Sequence, residues 1–456
     1  MASKRDLVEA HGYTKRRLVS AFVSGAPAGR DVESVSRVRP VIAGLAASAL
    51  LLGGTAIAGM LAAPLAPGWE DAHVIIGKQS AARYVSEKGT LYPVLNATSA
   101  RLMLPSTAGY PIVVVDDNLL VDIPRGAARG ILGAPDDLPT TTNLLQTGWV
   151  SCLVSGRTVT TLRSTAAPAA PDTDAPIGQF VTSGGSTWLV AGDYRYPVPA
   201  DKVGALRRDL HLDSIDVPEV PGVWLDVVTI GRPLTLTVAG QGTPLPPAMT
   251  MGGKITRVGQ VIKDASNAGA LSLVLASGTV PLTEFAAAVY RSTSSPDLAE
   301  AVTVKSADTA TVPAGPSRAT VYPDSWPERL PTAAKGTVCV LLQTQGPDKP
   351  ARTRVITLPV ESPRVTASAG ATVEPGKGAL VRASSTGSAL GPVFVIDQSG
   401  RKFAVTDPSD ETLARLGYAG LRPAIVPAPW LLVFPSGPAL SEQAALAAPT
   451  AGGGGP

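Results

Sequence analysis

Hydrophobic positions along this chain fall into one long unbroken run and many short ones. The long run is Val41–Ala63, VIAGLAASALLLGGTAIAGMLAA, 23 residues with no charge and nothing more polar than Ser48 and Thr55. As a helix rising ~1.5 Å per residue it is about 35 Å long, enough to cross a hydrocarbon core of roughly 30 Å with some tilt. Lipid cannot satisfy backbone N–H and C=O groups, so a spanning segment here has to be helical. The rival reading is a cleaved signal peptide, suggested by Ala56-Ile57-Ala58. Against it, the run exceeds the roughly 7–15 apolar residues of a signal and the preceding arm is long.

The short runs read as strands and turns. Tyr84-Val-Ser-Glu-Lys-Gly-Thr-Leu-Tyr92-Pro-Val94 resembles Trp188-Leu-Val-Ala-Gly-Asp-Tyr-Arg-Tyr196-Pro-Val198, and Phe394 to Val405 repeats the pattern with one extra residue. Each is an apolar strand, a turn and a second aromatic-bearing strand, which predicts a β-hairpin. Each runs on into a cap residue and a short helix, beginning at Asn96, Asp201 and Asp407. A weaker fourth copy is Leu273–Leu282 followed by Thr283–Tyr290, where chance likeness among turn-rich hairpins is the alternative. The expected fold is α+β: one N-terminal transmembrane helix, then an extracytoplasmic body of four ββα-type repeat domains around a central β-rich domain. The boundaries are 1–40 cytoplasmic arm, 41–63 span, and repeat domains at 72–108, 181–216, 265–300 and 385–435. The central domain takes 109–180 and 301–360, with Ile112–Val115, Val150–Val154, Val338–Leu342 and Arg354–Leu358 as strands. A loop at Ser164–Pro176 interrupts it, and the Gly-rich tail 438–456 is expected to be disordered.

Charge orients the span. Residues 1–40 hold eight Lys or Arg against four acids, with Arg37 and Arg39 directly before the span, while the outgoing side has no Lys or Arg until Lys78. The positive-inside bias puts the N-terminus in the cytoplasm, with Trp69 as an interface anchor on the far side. Removing those residues from the totals of 39 and 36 leaves the rest of the chain at −1, so the exported body carries no nucleic-acid signature. Within the arm, Tyr13–Val23 sets Leu18, Val19, Phe22 and Val23 opposite Lys15, Arg16 and Arg17. Such a stretch lies on anionic lipid or docks into a partner's groove; a solvated linker is the bland alternative.

Only two cysteines occur, Cys152 in WVSCLV and Cys339 in TVCVLL. Outside the membrane an isolated pair most simply forms one disulfide, with two free buried thiols as the alternative. A metal site is not expected, because His11, His73 and His211 all lie far from both cysteines in sequence.

The layout resembles the EccB family, the membrane component of the actinobacterial type VII (ESX) secretion system. The stretches that carry the resemblance are Lys15-Arg-Arg-Leu-Val-Ser-Ala-Phe22-Val-Ser-Gly25 before a single span and Tyr92-Pro-Val-Leu-Asn-Ala-Thr-Ser-Ala-Arg101-Leu after it. Pro124-Arg-Gly, Gly130-Ile-Leu-Gly133-Ala-Pro-Asp136 and the cysteine pair complete it. The resemblance implies a scaffold in the cytoplasmic (inner) membrane, present in several copies, with the EccC ATPase, EccD and EccE as partners. Its implied single-pass topology leaves the body on the periplasmic or cell-wall side.

The family has also been credited with nucleotide hydrolysis, which sets a test for the residues. A phosphate cradle of the G-x-x-x-x-G-K-[ST] type needs Ser or Thr after its Lys. Gly77-Lys78-Gln79, Gly253-Lys254-Ile255 and Gly376-Lys377-Gly378 all lack it, and each reads as a turn. His211 reads as a surface or helix-end residue, and Asp116-Asp117 and Asp136-Asp137 as solvated turns. The sequence thus offers no catalytic, cofactor or metal residues. An extracytoplasmic ATPase and a peptidoglycan-binding module remain the alternatives to a scaffold.

Overall fold

The computed structural model describes residues 3–24, 44, 65–165, 175–265, 270–344, 348–385 and 390–449. The apolar run 41–63, apart from residue 44, lies outside them, as does most of the Ser164–Pro176 loop. Among the described residues no helix is long and apolar enough to cross a membrane. The chain divides into two units, Met1–Ala66 and Pro67–Pro456.

In the first unit the described residues include the helix Lys4–Ser24. Leu7, Leu18, Val19, Phe22 and Val23 are exposed on it, so among the described residues nothing covers its apolar face.

The described residues of the second unit form five sheets. Period-2 alternation builds the central one: Trp149, Val340 and Leu342 point to one face, Val150, Cys152, Cys339 and Leu341 to the other. Its strands run in the order Arg352–Leu358, Thr337–Gln343, Trp149–Val154, Arg157–Leu162, Gly370–Val373. Residues nearly 200 apart are therefore neighbours, with Cys339 registered opposite Cys152 and Leu342 opposite Trp149.

Of the outer sheets, three share one topology. In the first, Val74–Gly77, Arg83–Glu87 and Thr90–Pro93 form an antiparallel meander, the helix Ala97–Met103 crosses over, and Ile112–Val115 returns parallel to Val74–Gly77. The third runs Val261–Asp264, Leu271–Leu275, Gly278–Leu282, helix Glu284–Thr293, then Val302–Val304. The fourth runs Ala379–Ser384, Val393–Ile396, Lys402–Val405, helix Asp410–Arg415, then Ala424–Pro427. The second, Ile177–Ser183, Ser186–Ala191 and Tyr194–Val198, departs from it. Its place beside the first strand is filled by Thr332–Ala333, from beyond the third sheet.

The expected boundaries move accordingly. The first, third and fourth units are βββαβ rather than ββα, and Ile112–Val115 belongs to the first sheet instead of the central domain. Likewise Val302–Val304 belongs to the third sheet and Ile177–Ser183 to the second, while Gly370–Val373 joins the central sheet. A parallel strand is separated from its partner by a crossover, so no local turn marks the pairing in sequence. The tail is also ordered further than expected. Ser441 caps a helix at Glu442–Leu446, and Leu440 and Ala445 are fully buried in the core that the first and fourth units share. Small apolar residues there fill a core site that the Gly-rich composition concealed.

The outer units pair through their helices. Leu206 and Leu210, from Val203–Asp209 and its C-cap, share a core with Phe285, Val289 and Tyr290 of the third unit. Leu102 of the first unit packs with Phe403, Leu413, Leu416 and Tyr418 of the fourth. One face of the central sheet, with Trp149 at its centre, meets Trp224, Trp430 and Phe434.

Candidate functional site

Cys152 and Cys339 form a disulfide, fully buried, with Cα atoms 4.0 Å apart and a sequence separation of 187. Val365 packs on it from the loop after the edge strand. Beside Val365, Arg364 is only 4% exposed. Its guanidinium donates to the carbonyls of Gly148 at 3.2 Å and Thr165 at 2.6 Å and to the Thr161 hydroxyl at 3.3 Å. Burial lowers its pKa, yet five donors in a planar fork let it remain the cation that ties three segments together.

None of the Gly-Lys turns is shaped for phosphate. Gly77 ends its strand against the carboxylate of Asp117, which a side chain at position 77 would strike. That carboxylate accepts from the Ser80 amide at 2.9 Å, and Asp116 accepts from Gln79 at 2.8 Å, so anions already occupy the turn. Gly252 and Gly253 have positive φ in a tight turn bridged by Met251 and Ile255, with Asp308 beside Gly252. The Gly376 amide donates to Gln398 at 2.9 Å and the Lys377 ammonium to Asn143 at 2.8 Å, which spends both phosphate-binding groups on the fold.

The other candidates are structural. Asp136 receives Arg83 and the Ala97 amide, fixing the start of the first unit's helix. His211 is exposed at φ 57°, just past the helix Val203–Asp209. Among the described residues no group of three or more His, Cys, Asp or Glu is placed to hold a metal.

Sequence reasoning missed one concavity. A cavity of about 570 Å³ opens between the second sheet, the strand carrying Arg354 and the loop Asp324–Arg329. Its charges are met within the wall. Arg354 lies 3.7 Å from Asp193, and Arg318 holds both Glu328 at 2.7 Å and Asp324 at 3.1 Å. Burial pushes the Asp193 carboxyl up, against the opposing pull of Arg354. The Tyr196 hydroxyl donates to the Ser325 carbonyl at 2.6 Å, and burial raises its pKa strongly. Paired charges and a phenol spent on a carbonyl make a cleft between units, not an acid–base pair.

A disulfide ties the central sheet, and pairs of outer units pack their helices together on either side of it. The family model described as "Type VII secretion system ESX-1, transport TM domain B" matches residues 1–451, and the chain belongs to this family, EccB. It is 30% identical over 430 residues to the ESX-2 secretion system ATPase EccB2 of Mycobacterium tuberculosis, covering 83% of this chain and 82% of that one. With the ESX-3 secretion system ATPase EccB3 of Mycolicibacterium smegmatis the identity is 25% over 407 residues, 82% of this chain and 77% of the relative. Among solved structures, the EccB3 dimer from the ESX-3 core complex superposes with a TM-score of 0.66 at 24% identity, over 82% of this chain and all of that one. A chain of an intact ESX-5 inner membrane complex gives 0.61 at 21% identity, over 98% and 96%. These two matches establish the fold.

Proposed function

We propose that this chain is the structural membrane subunit of a type VII secretion complex, its outer body a scaffold for assembly. The observation that carries it is the family match along essentially the whole chain, residues 1–451. In this reading Val41–Ala63 crosses the cytoplasmic membrane once, the N-terminal helix stays in the cytoplasm, and the body from Pro67 onward lies outside. The four outer sheets act as repeat domains around the central sheet. Copies associate with one another and with the EccC, EccD and EccE subunits; that EccB3 of the ESX-3 core complex was solved as a dimer supports the self-association.

The M. tuberculosis and M. smegmatis relatives carry the word ATPase in their names. The three Gly-Lys turns, occupied by carboxylates or by fold-holding hydrogen bonds, argue against extending that activity here. Blue-native electrophoresis of solubilised membranes tests the scaffold: the chain should run in a large assembly, and secretion should stop on its deletion. A free monomer with secretion intact would refute the reading. ATP turnover abolished by Lys→Ala at position 78, 254 or 377 would establish the enzyme instead.

A further inference from the structure

We infer that the open edge of the first sheet, the strand Ile112–Val115, is where a second copy of this chain adds to it, strand against strand, about a two-fold axis. This rests on the self-association proposed above and names its surface.

The strand is the last in its sheet, and among the described residues no strand or bridge pairs with its outer side. Pairing with Val74–Gly77 uses alternate residues: Val74 donates to the Pro111 carbonyl and Lys78 to that of Val115, each at 2.8 Å. By the same alternation the peptide groups of Ile112 and Val114 point away from the sheet, leaving two N–H and two C=O groups open. The side chains of these residues are 52% and 60% exposed. Four β-branched apolar residues in a row on an open edge form a template for another strand.

The equivalent strands of the third and fourth sheets differ from it. In the fourth sheet Ala424, Ile425 and Val426 are buried, and the Ile425 carbonyl accepts from the Ala351 amide at 2.8 Å. There, another segment of the chain already takes the edge. In the third sheet the residue facing outward is Thr303, a polar side chain. Among the described residues, the first sheet alone leaves its fourth strand both apolar and bare.

The occupant follows from self-complementarity. Antiparallel pairing of Ile112–Val115 with itself sets Ile112 of each copy opposite Val114 of the other, and their open N–H and C=O groups satisfy one another. The strand carries no charge, so the two-fold brings no repulsion within it. At its ends this register places Asp116 of one copy opposite Tyr110 of the other, whose ring carries the Arg101 guanidinium 4.6 Å from its centroid. Carboxylate therefore meets cation on both sides of the axis.

In this register Val113 lies opposite its own counterpart at a non-hydrogen-bonded site, with Cα atoms about 4.5 Å apart. A disulfide fits that separation. The test uses the full-length chain in membranes. Val113→Cys, oxidised with copper phenanthroline, should give a single reducible band at twice the monomer mass. Val114→Pro removes only an outward N–H, so thermal unfolding should be unchanged while self-association weakens about tenfold or more. If the chain associates yet Val113→Cys stays monomeric on the gel, or Val114→Pro associates as tightly as the parent, the edge is not the interface. A crosslink to a different protein would overturn the second copy as occupant. A parent chain that is monomeric in membranes would bring down the self-association reading itself.

Discussion

Arg101 and Arg415 each donate to the helix that carries the other. Arg101 reaches the carbonyl of Leu416 at 3.4 Å, and Arg415 reaches that of Leu102 at 2.8 Å. The two arginines sit near the ends of Ala97–Met103 and Asp410–Arg415, and the leucine after each is buried in the shared core. The first and last units of the body, over 300 residues apart, are thus joined by matching Arg-Leu pairs.

The two bonds are unequal, and so should be the cost of losing them. Arg415 is 11% exposed and also meets Glu411 at 2.8 Å and Glu442 at 3.0 Å. Arg415→Ala should destabilise by about 2–3 kcal/mol and free the C-terminal helix. Arg101→Ala, which loses a longer bond and its ring contact with Tyr110, should cost about 1 kcal/mol. Urea denaturation followed by tryptophan fluorescence measures both, and the double variant should depart from additivity.

The disulfide joins halves of the central sheet that are contiguous in space and remote in sequence. On the chain-entropy model, closing a loop of 187 residues stabilises the body by ~5 kcal/mol. Replacing both cysteines with Ala should lower the urea midpoint by a corresponding amount. Because both sulfurs are fully buried, alkylation of the reduced wild type should require denaturant.

Arg364 is the test of a buried cation held by carbonyls. Arg364→Ala leaves the Gly148 and Thr165 carbonyls without that donor and should cost about 3 kcal/mol. Arg364→Lys should recover little, since one ammonium cannot reproduce a fork that reaches both oxygens. Thermal melts of the two variants decide it: full rescue by Lys would mean charge, not geometry, is what the site requires.

What the sequence disclosed and concealed divides along local and non-local lines. The hairpins Tyr84–Val94 and Trp188–Val198 were legible because an alternating run, a Gly-containing turn and a second run lie within about ten residues. The meander's first strands and the parallel fourth strands were not, since a crossover leaves no adjacent signal of its partner. The cysteines could be paired because there were only two, although their direct register across Thr337–Gln343 and Trp149–Val154 could not be read. Arg364 and the cleft at Asp193 were invisible, because each is assembled from segments distant in the chain.

Acid should loosen the Ser164 loop before it unfolds the body. Glu374 accepts from the Ser164 amide at 2.7 Å and from its hydroxyl at 2.8 Å, and these bonds hold its carboxyl below the ordinary range. A carboxylate whose folded pKa is depressed contributes stability above its unfolded value of about 4.3, and loses that contribution as pH falls through the folded value. The side chain is only partly buried and its partner is the adjoining loop, so the effect is local. Amide exchange of Ser164 should accelerate, relative to the intrinsic rate, as pH drops from about 5 toward 3. Glu374→Gln should remove that acid dependence, because a neutral amide keeps an acceptor but has no charge to lose. Protection at Ser164 that is flat across this range in the wild type would mean the loop is held by Arg364 and the Thr165 carbonyl instead.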